Sequence, residues 1–222
     1  MLRDVTQRLA NRFLRRSKEE AEMAFWRDRA AQEGRLGHEH YERAYTAHFG
    51  LDRDFFAGKR VLDVGCGPRG SLEWATMAAE RVGVDPLVDR YQDLGIDRHE
   101  MRYVAARAEA LPLPSERFEV VAVLNALDHV DDVDNSIREI TRVAATGATL
   151  LLMVETGHEP TTAEPQSLDW RVLEAFVGWE VDWSARNGVR EDHNLYASVD
   201  DGIPYIAGAG ILRARFTRLS SY

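Results

Sequence analysis

Ten residues, Val61 to Gly70, constrain this chain more than any other stretch: VLDVGCGPRG. The apolar run Val61-Leu62-Asp63-Val64 predicts a buried parallel strand. Gly65, Gly67 and Gly70 follow at once. Gly65 supplies the backbone angles of a tight strand-to-helix turn, and Gly67 lets a ligand lie against bare backbone. Ser71, with Glu73 two residues on, predicts the capped start of a helix over 71–79. The spacing is G-x-G-x-x-G, that of loops that cradle a nucleotide. Asp85 lies 20 residues beyond Gly65, at the end of a second predicted strand, Arg81-Val82-Gly83-Val84-Asp85. A carboxylate at that place accepts hydrogen bonds from a ribose diol.

The rest of the chain extends this pattern. Strands are expected at 60–64, 80–84, 101–104, 118–124 and 148–154, with helices over 71–79, 86–93 and 132–143. Such alternation predicts a parallel sheet with helices on both faces. The ending differs. Trp179, Val181, Trp183 and Ala185 alternate with polar residues, and Ile206 to Phe216 repeats the period of two after a helix at 165–176. With Asn187-Gly188 and Asp201-Gly202 as turns, and no clear helix between the two runs, the sheet should finish as an antiparallel pair. Residues 1–55 read as helices: a basic amphipathic one around Leu2, Val5, Leu9 and Phe13, a second over 18–33 and a third over 38–48. The expected organisation is an N-terminal helical extension or lid at 1–55 and a Rossmann-like domain at 56–222.

Composition narrows the partners. Against 28 Lys and Arg stand 37 Asp and Glu, a formal net charge of −9, which disfavours nucleic acid as main partner. One cysteine, Cys66, excludes an internal disulfide and a three-cysteine iron–sulfur cluster. The apolar runs are strand-length, so no stable membrane insertion is expected. The basic N-terminal segment also fits a membrane-surface or transit-like helix, but a solvated helix packed on the body or on another subunit is preferred. The expected setting is cytoplasmic, with a homodimer left open.

These motifs together resemble the class I S-adenosylmethionine-dependent methyltransferases, over roughly residues 58 to 155. VLDVGCGPRG resembles that family's first motif, which implies Asp63, Gly65, Cys66 and Gly67 on the methionine side of an S-adenosylmethionine cofactor. VGVDP resembles the second, with Asp85 and Pro86 at the ribose. Ala108, Glu109 and the following Ala-Leu-Pro-Leu-Pro resemble the segment that meets adenine. An acid common two positions earlier is here Arg107, which cannot accept a hydrogen bond, so the adenine amine would turn to Glu109 or a backbone carbonyl, or Arg107 would stack on the ring. Asn125 to Val130 resembles the loop after strand four, which faces cofactor and acceptor. The family's seven-stranded, mostly parallel sheet agrees with the antiparallel ending.

The resemblance implies methyl transfer to the oxygen or nitrogen of a small metabolite. Alternatives for the same glycines are a nicotinamide-dependent oxidoreductase and a cofactor-binding protein without catalysis. Against the former stand Asp63 before the loop, Pro68 inside it and the antiparallel ending. His129 and His158, both after predicted strands, are the candidate proton acceptors. Asp128 is placed to orient His129 or to meet substrate, and Tyr41 and Tyr45 to cover it. Phe25 and Trp26 read as core, and the polar loop 187–203 as a second lid. Asp128, His129, Glu155 and His158 offer metal ligands near one rim, but their spacing matches no tight motif, and no metal is expected.

Overall fold

The structure is a computed structural model that describes the backbone of residues 2–220 and the side chains of residues 17–220. Its centre is a seven-stranded sheet in the order β3-β2-β1-β4-β5-β7-β6. The strands are β1 Arg60–Val64, β2 Glu80–Asp85, β3 Arg102–Ala105, β4 Phe118–Leu124, β5 Ala144–Thr156, β6 Trp179–Asn187 and β7 Gly210–Arg218. β1 to β5 pair in parallel, while β7 runs antiparallel between β5 and β6.

Period two along each strand sorts the core into two layers. Leu62, Val64, Val121, Val123, Leu150 and Leu152 pack on one face with Ile137 and Ile140 of helix α3, Val133–Val143. Asp132 caps that helix by accepting the amide of Asn135. Val61, Val120, Ala122, Leu151 and Met153 face the other way, under Tyr45, Phe49, Phe56, Leu72 and Trp74. Asp63 shares the parity of Val61, so the pleat directs its carboxylate into this second layer.

The expected strands are all present, but three expected helices are not. Residues 71–79 form a chain of turns. Ser71 donates its hydroxyl to Asp63 instead of capping a helix. Tertiary partners claim the amides: Leu72 N–H points at the Met101 sulfur, and Ala79 N–H bonds the Lys59 carbonyl. Residues 86–93 and 165–176 are likewise reduced to short 3₁₀ turns, Val88–Arg90, Gln92–Leu94 and Trp170–Ala175. The polar segment after β6, expected without a helix, contains helix α4, Leu195–Asp200.

The N-terminal part holds one continuous helix, α1, Leu2–Glu33, in place of two, then the short α2, Tyr41–Tyr45. The side chains of residues 1–16, on which the basic amphipathic reading rests, lie outside those described. Among the described residues no helix is long and apolar enough to cross a membrane.

Candidate active site

The strand order reverses at β1, which pairs β2 on one side and β4 on the other. Open α/β sheets bind ligands outside the carboxyl ends of the strands at such a switch point. A cavity of about 1140 Å³ lies there. The carboxyl ends that border it belong to β2, β1, β4 and β5, so the crevice spans three strand spacings, about 14 Å.

At the β2 end, Gly65 and Gly67 hold left-handed backbone angles, φ +81° and +57°. A Cβ on Gly65 would lie 2.3 Å from that of Ala126, so the loop after β1 presses directly on the loop after β4. Asp85 is buried with its carboxylate on the cavity wall. Its Oδ2 accepts the Gly67 amide at 3.2 Å and its Oδ1 the Leu87 amide at 2.9 Å. Burial raises its pKa, and the backbone amides partly offset that. Pro86, Leu87, Cys66 and Ala108 line the same wall. Burial pushes the Cys66 thiol up, so it stays protonated. Glu109 reaches the cavity, but its Oε1 accepts the amides of Asp131 and Asp132 at 2.7 and 3.2 Å. Arg107 pairs with Asp131 at 2.5 Å.

Asp63 does not line the cavity. It lies beneath Tyr45 in the second core layer, and burial lifts its carboxyl to about 6. Tyr45 is in the core with it, 5.9 Å from the Trp74 ring, whereas Tyr41 does reach the cavity.

At the β4–β5 end, Asn125 is one of three non-glycine residues with positive φ among those described (+55°). Such strain persists where surroundings hold it, and it aims the chain after β4 into the crevice. His129 and His158 both face the cavity. The Nδ1 of His158 lies 3.0 Å from the Glu159 carbonyl. A carbonyl only accepts, so Nδ1 carries the proton and Nε2 presents its lone pair. That Nε2 has no hydrogen-bond partner and sits 3.7 Å from Asp128 Oδ2. Asp128 is wholly buried just behind the wall, with neither carboxylate oxygen hydrogen-bonded. Burial, then the charge of Glu164, raises it to about 7. His129 Nε2 is also unpartnered, 3.7 Å from Glu164 Oε1, and burial lowers its pKa.

Helix α1 lies over both ends. Trp26 covers Gly67, with its ring carbon 3.1 Å from where a Cβ would stand, and its indole N–H bonds Glu22 at 2.8 Å. Burial, then Asp85, raises the Glu22 carboxyl. Lys18, eight residues earlier, donates to the His129 carbonyl and pairs with Asp131 at 3.6 Å. Met23 anchors the helix among Leu87, Val88, Tyr91 and Ile96. Arg69, next to the glycine loop, ties Glu33 at its far end at 2.6 Å. From the segment 187–203, His193 and Tyr196 also reach the cavity.

Sequence reasoning therefore missed Lys18, Glu22, Trp26 and Glu164 as cavity residues, whereas the 187–203 segment was read as a cover. For Glu22 and Trp26 a signal existed: i,i+4 spacing puts them on one helix face. Phe25, paired with Trp26 in the core reading, is instead 48% exposed.

Comparison with known proteins bears on this site. A profile of the methyltransferase domain matches residues 62–152. A demethylmenaquinone methyltransferase from Thermobifida fusca is 30% identical over 174 residues, 76% of this chain and 70% of the relative. A ubiquinone biosynthesis O-methyltransferase from Pseudomonas putida is 38% identical, over 43% of this chain and 44% of its own. The chain spans less than half the length of several other curated relatives. Among solved structures, the YcgJ protein from Bacillus subtilis superimposes with a TM-score of 0.59 at 17% identity, covering 79% of this chain and 99% of that one.

Proposed function

The chain belongs to the class I S-adenosylmethionine-dependent methyltransferases, and on that premise we propose that it methylates an oxygen or nitrogen of a small metabolite bound at the β4–β5 end of its crevice. The nicotinamide reading gives way to the family assignment. The cavity residues suit the cofactor. Asp85 offers a buried carboxylate where a ribose diol would sit, and Gly67 brings no side chain of its own, so a ligand there meets bare backbone beneath the Trp26 ring. Gly65, Cys66, Pro86, Ala108, Glu109 and Asn125 are the remaining proposed contacts. Asp63, being in the core, would act through the shape of the loop.

S-adenosylmethionine supplies a methyl already activated by its sulfonium; the protein's work is alignment, water exclusion and removal of the acceptor's proton. Transfer to an oxygen or nitrogen acceptor would leave that acceptor with a proton to shed, which a residue of this chain would take up. His158 carries the reading: its Nδ1–H is committed to a carbonyl, so its free Nε2 is ready to accept a proton. His129 lies beside it on the wall. Helix α1 and the 187–203 segment are the proposed covers.

The test is production of S-adenosylhomocysteine by pure protein with a panel of phenolic, quinol, carboxylate and amine acceptors. Turnover with one class, with the methyl found on oxygen or nitrogen, is expected. Tight binding of S-adenosylmethionine with no turnover on any acceptor would return the chain to a non-catalytic binding role.

A further inference from the structure

The β4–β5 end holds a group of side chains that hydrogen bonding does not explain. Asp128, His129 and Glu164 each offer one ligand atom, and the three atoms lie within 4.8 Å of one another. Asp128 is 0% exposed, yet neither carboxylate oxygen has a hydrogen-bond partner. The Nε2 of His129 has none either. Buried polar atoms in native proteins are almost always satisfied, and an unmet set aimed at one point calls for a ligand. Asp128 and Glu164 repel each other here, and Glu155 adds a further buried carboxylate oxygen without a partner. The nearest cation, Lys18, is committed to the His129 carbonyl and to Asp131.

We infer that Asp128, His129 and Glu164 form a binding site for a divalent transition-metal ion of the Zn(II) or Mn(II) kind. The spacing suits it. Ligands about 2.1 Å from a tetrahedral ion lie about 3.4 Å apart, and His129 Nε2 stands 3.7 Å from Glu164 Oε1. The donors suit it as well. One imidazole and two carboxylates favour these ions over Mg(II) or Ca(II), which prefer oxygen alone. Three protein ligands leave a fourth position open, and His129 and Glu164 line the cavity, which provides the entry path and an outlet for that position. The chain order hid the site because Glu164 arrives from a segment 35 residues beyond His129.

An ion there would polarise an acceptor oxygen and ease loss of its proton. That use rests on the methyltransferase reading; the binding does not. The experiment is therefore calorimetric titration of tag-free, metal-stripped protein with ZnCl₂ and MnCl₂, and with MgCl₂ for contrast, with neither cofactor nor acceptor present. One equivalent of Zn(II) or Mn(II) should bind, more tightly than Mg(II). Asp128→Asn should weaken it roughly tenfold or more. Glu164→Gln, at a partly exposed rim position where folding is not at risk, should do the same. Absence of saturable Zn(II) and Mn(II) binding, or affinity unchanged in Glu164→Gln, would overturn the site. Failure here leaves methyl transfer untouched, and a protein that binds Zn(II) without transferring methyl groups would separate the two in the other direction.

Discussion

The two ends of the crevice are built on opposite terms. At the β2 end the buried carboxylate is already occupied: Asp85 takes amides from Gly67 and Leu87, and Glu109 takes two more from the loop before α3. At the β4–β5 end Asp128, His129, His158 and Glu155 all carry buried polar atoms without partners. A satisfied wall fixes shape and needs only a complementary ligand. An unsatisfied one is costly until something binds it, since each orphaned group forfeits about 1–3 kcal/mol. The difference teaches where recognition is pre-organised and where reactivity is held open.

The sharpest way to break that contrast is at the open end. His158→Ala should lower turnover by roughly 10²–10⁴, the range for loss of a general base, while affinity for S-adenosylhomocysteine changes little. Equal losses in both would mean that His158 serves the fold and not the reaction. At the closed end, Gly67→Val places a branched side chain at φ +57° and against Trp26. Cofactor affinity should fall by more than about 3 kcal/mol, near a hundredfold or beyond. If calorimetry shows tight binding retained, the ligand does not lie on that backbone.

Asp63 probes the layer beneath. Its carboxyl is raised to about 6 against about 3.9 in an unfolded chain, so the native state binds the extra proton. That contribution is fully present below about 3.9 and is lost as pH rises through about 6. Asp63→Asn should remove the loss, and relative to wild type it should gain on the order of 2–3 kcal/mol between pH 4 and pH 7. Denaturation curves that move in parallel at both pH values would contradict a buried, protonating Asp63. The smallest effect is expected for Asp85→Ala, about 1–3 kcal/mol in cofactor binding by calorimetry, with the freed Gly67 amide part of the cost.

The strands were legible because β1, β2, β4 and β5 carry the buried apolar runs of a sheet covered on both faces, and the last two alternate. Gly65, Gly67 and Asp85 could be brought together from sequence because parallel pairing of β1 with β2 allows little else. The helix expected at 71–79 was not legible as turns, since Ser71 found Asp63 and Leu72 found Met101, partners 8 and 29 residues away. Intrinsic propensity yields to such contacts. Asp63 was misplaced by its motif and could have been corrected by parity with Val61. Tyr45 and Trp26 exchanged their expected places, core for cavity, because aromatic periodicity on a helix does not say which face meets the sheet.

Helix α1 touches the His129 backbone through Lys18 and the Gly67 backbone through Trp26, about 12 Å further along the same rod. A rod cannot lift at one end without tilting at the other. Whatever first displaces Trp26 therefore loosens the tether at Lys18 as well, so occupancy of either half is reported to its neighbour.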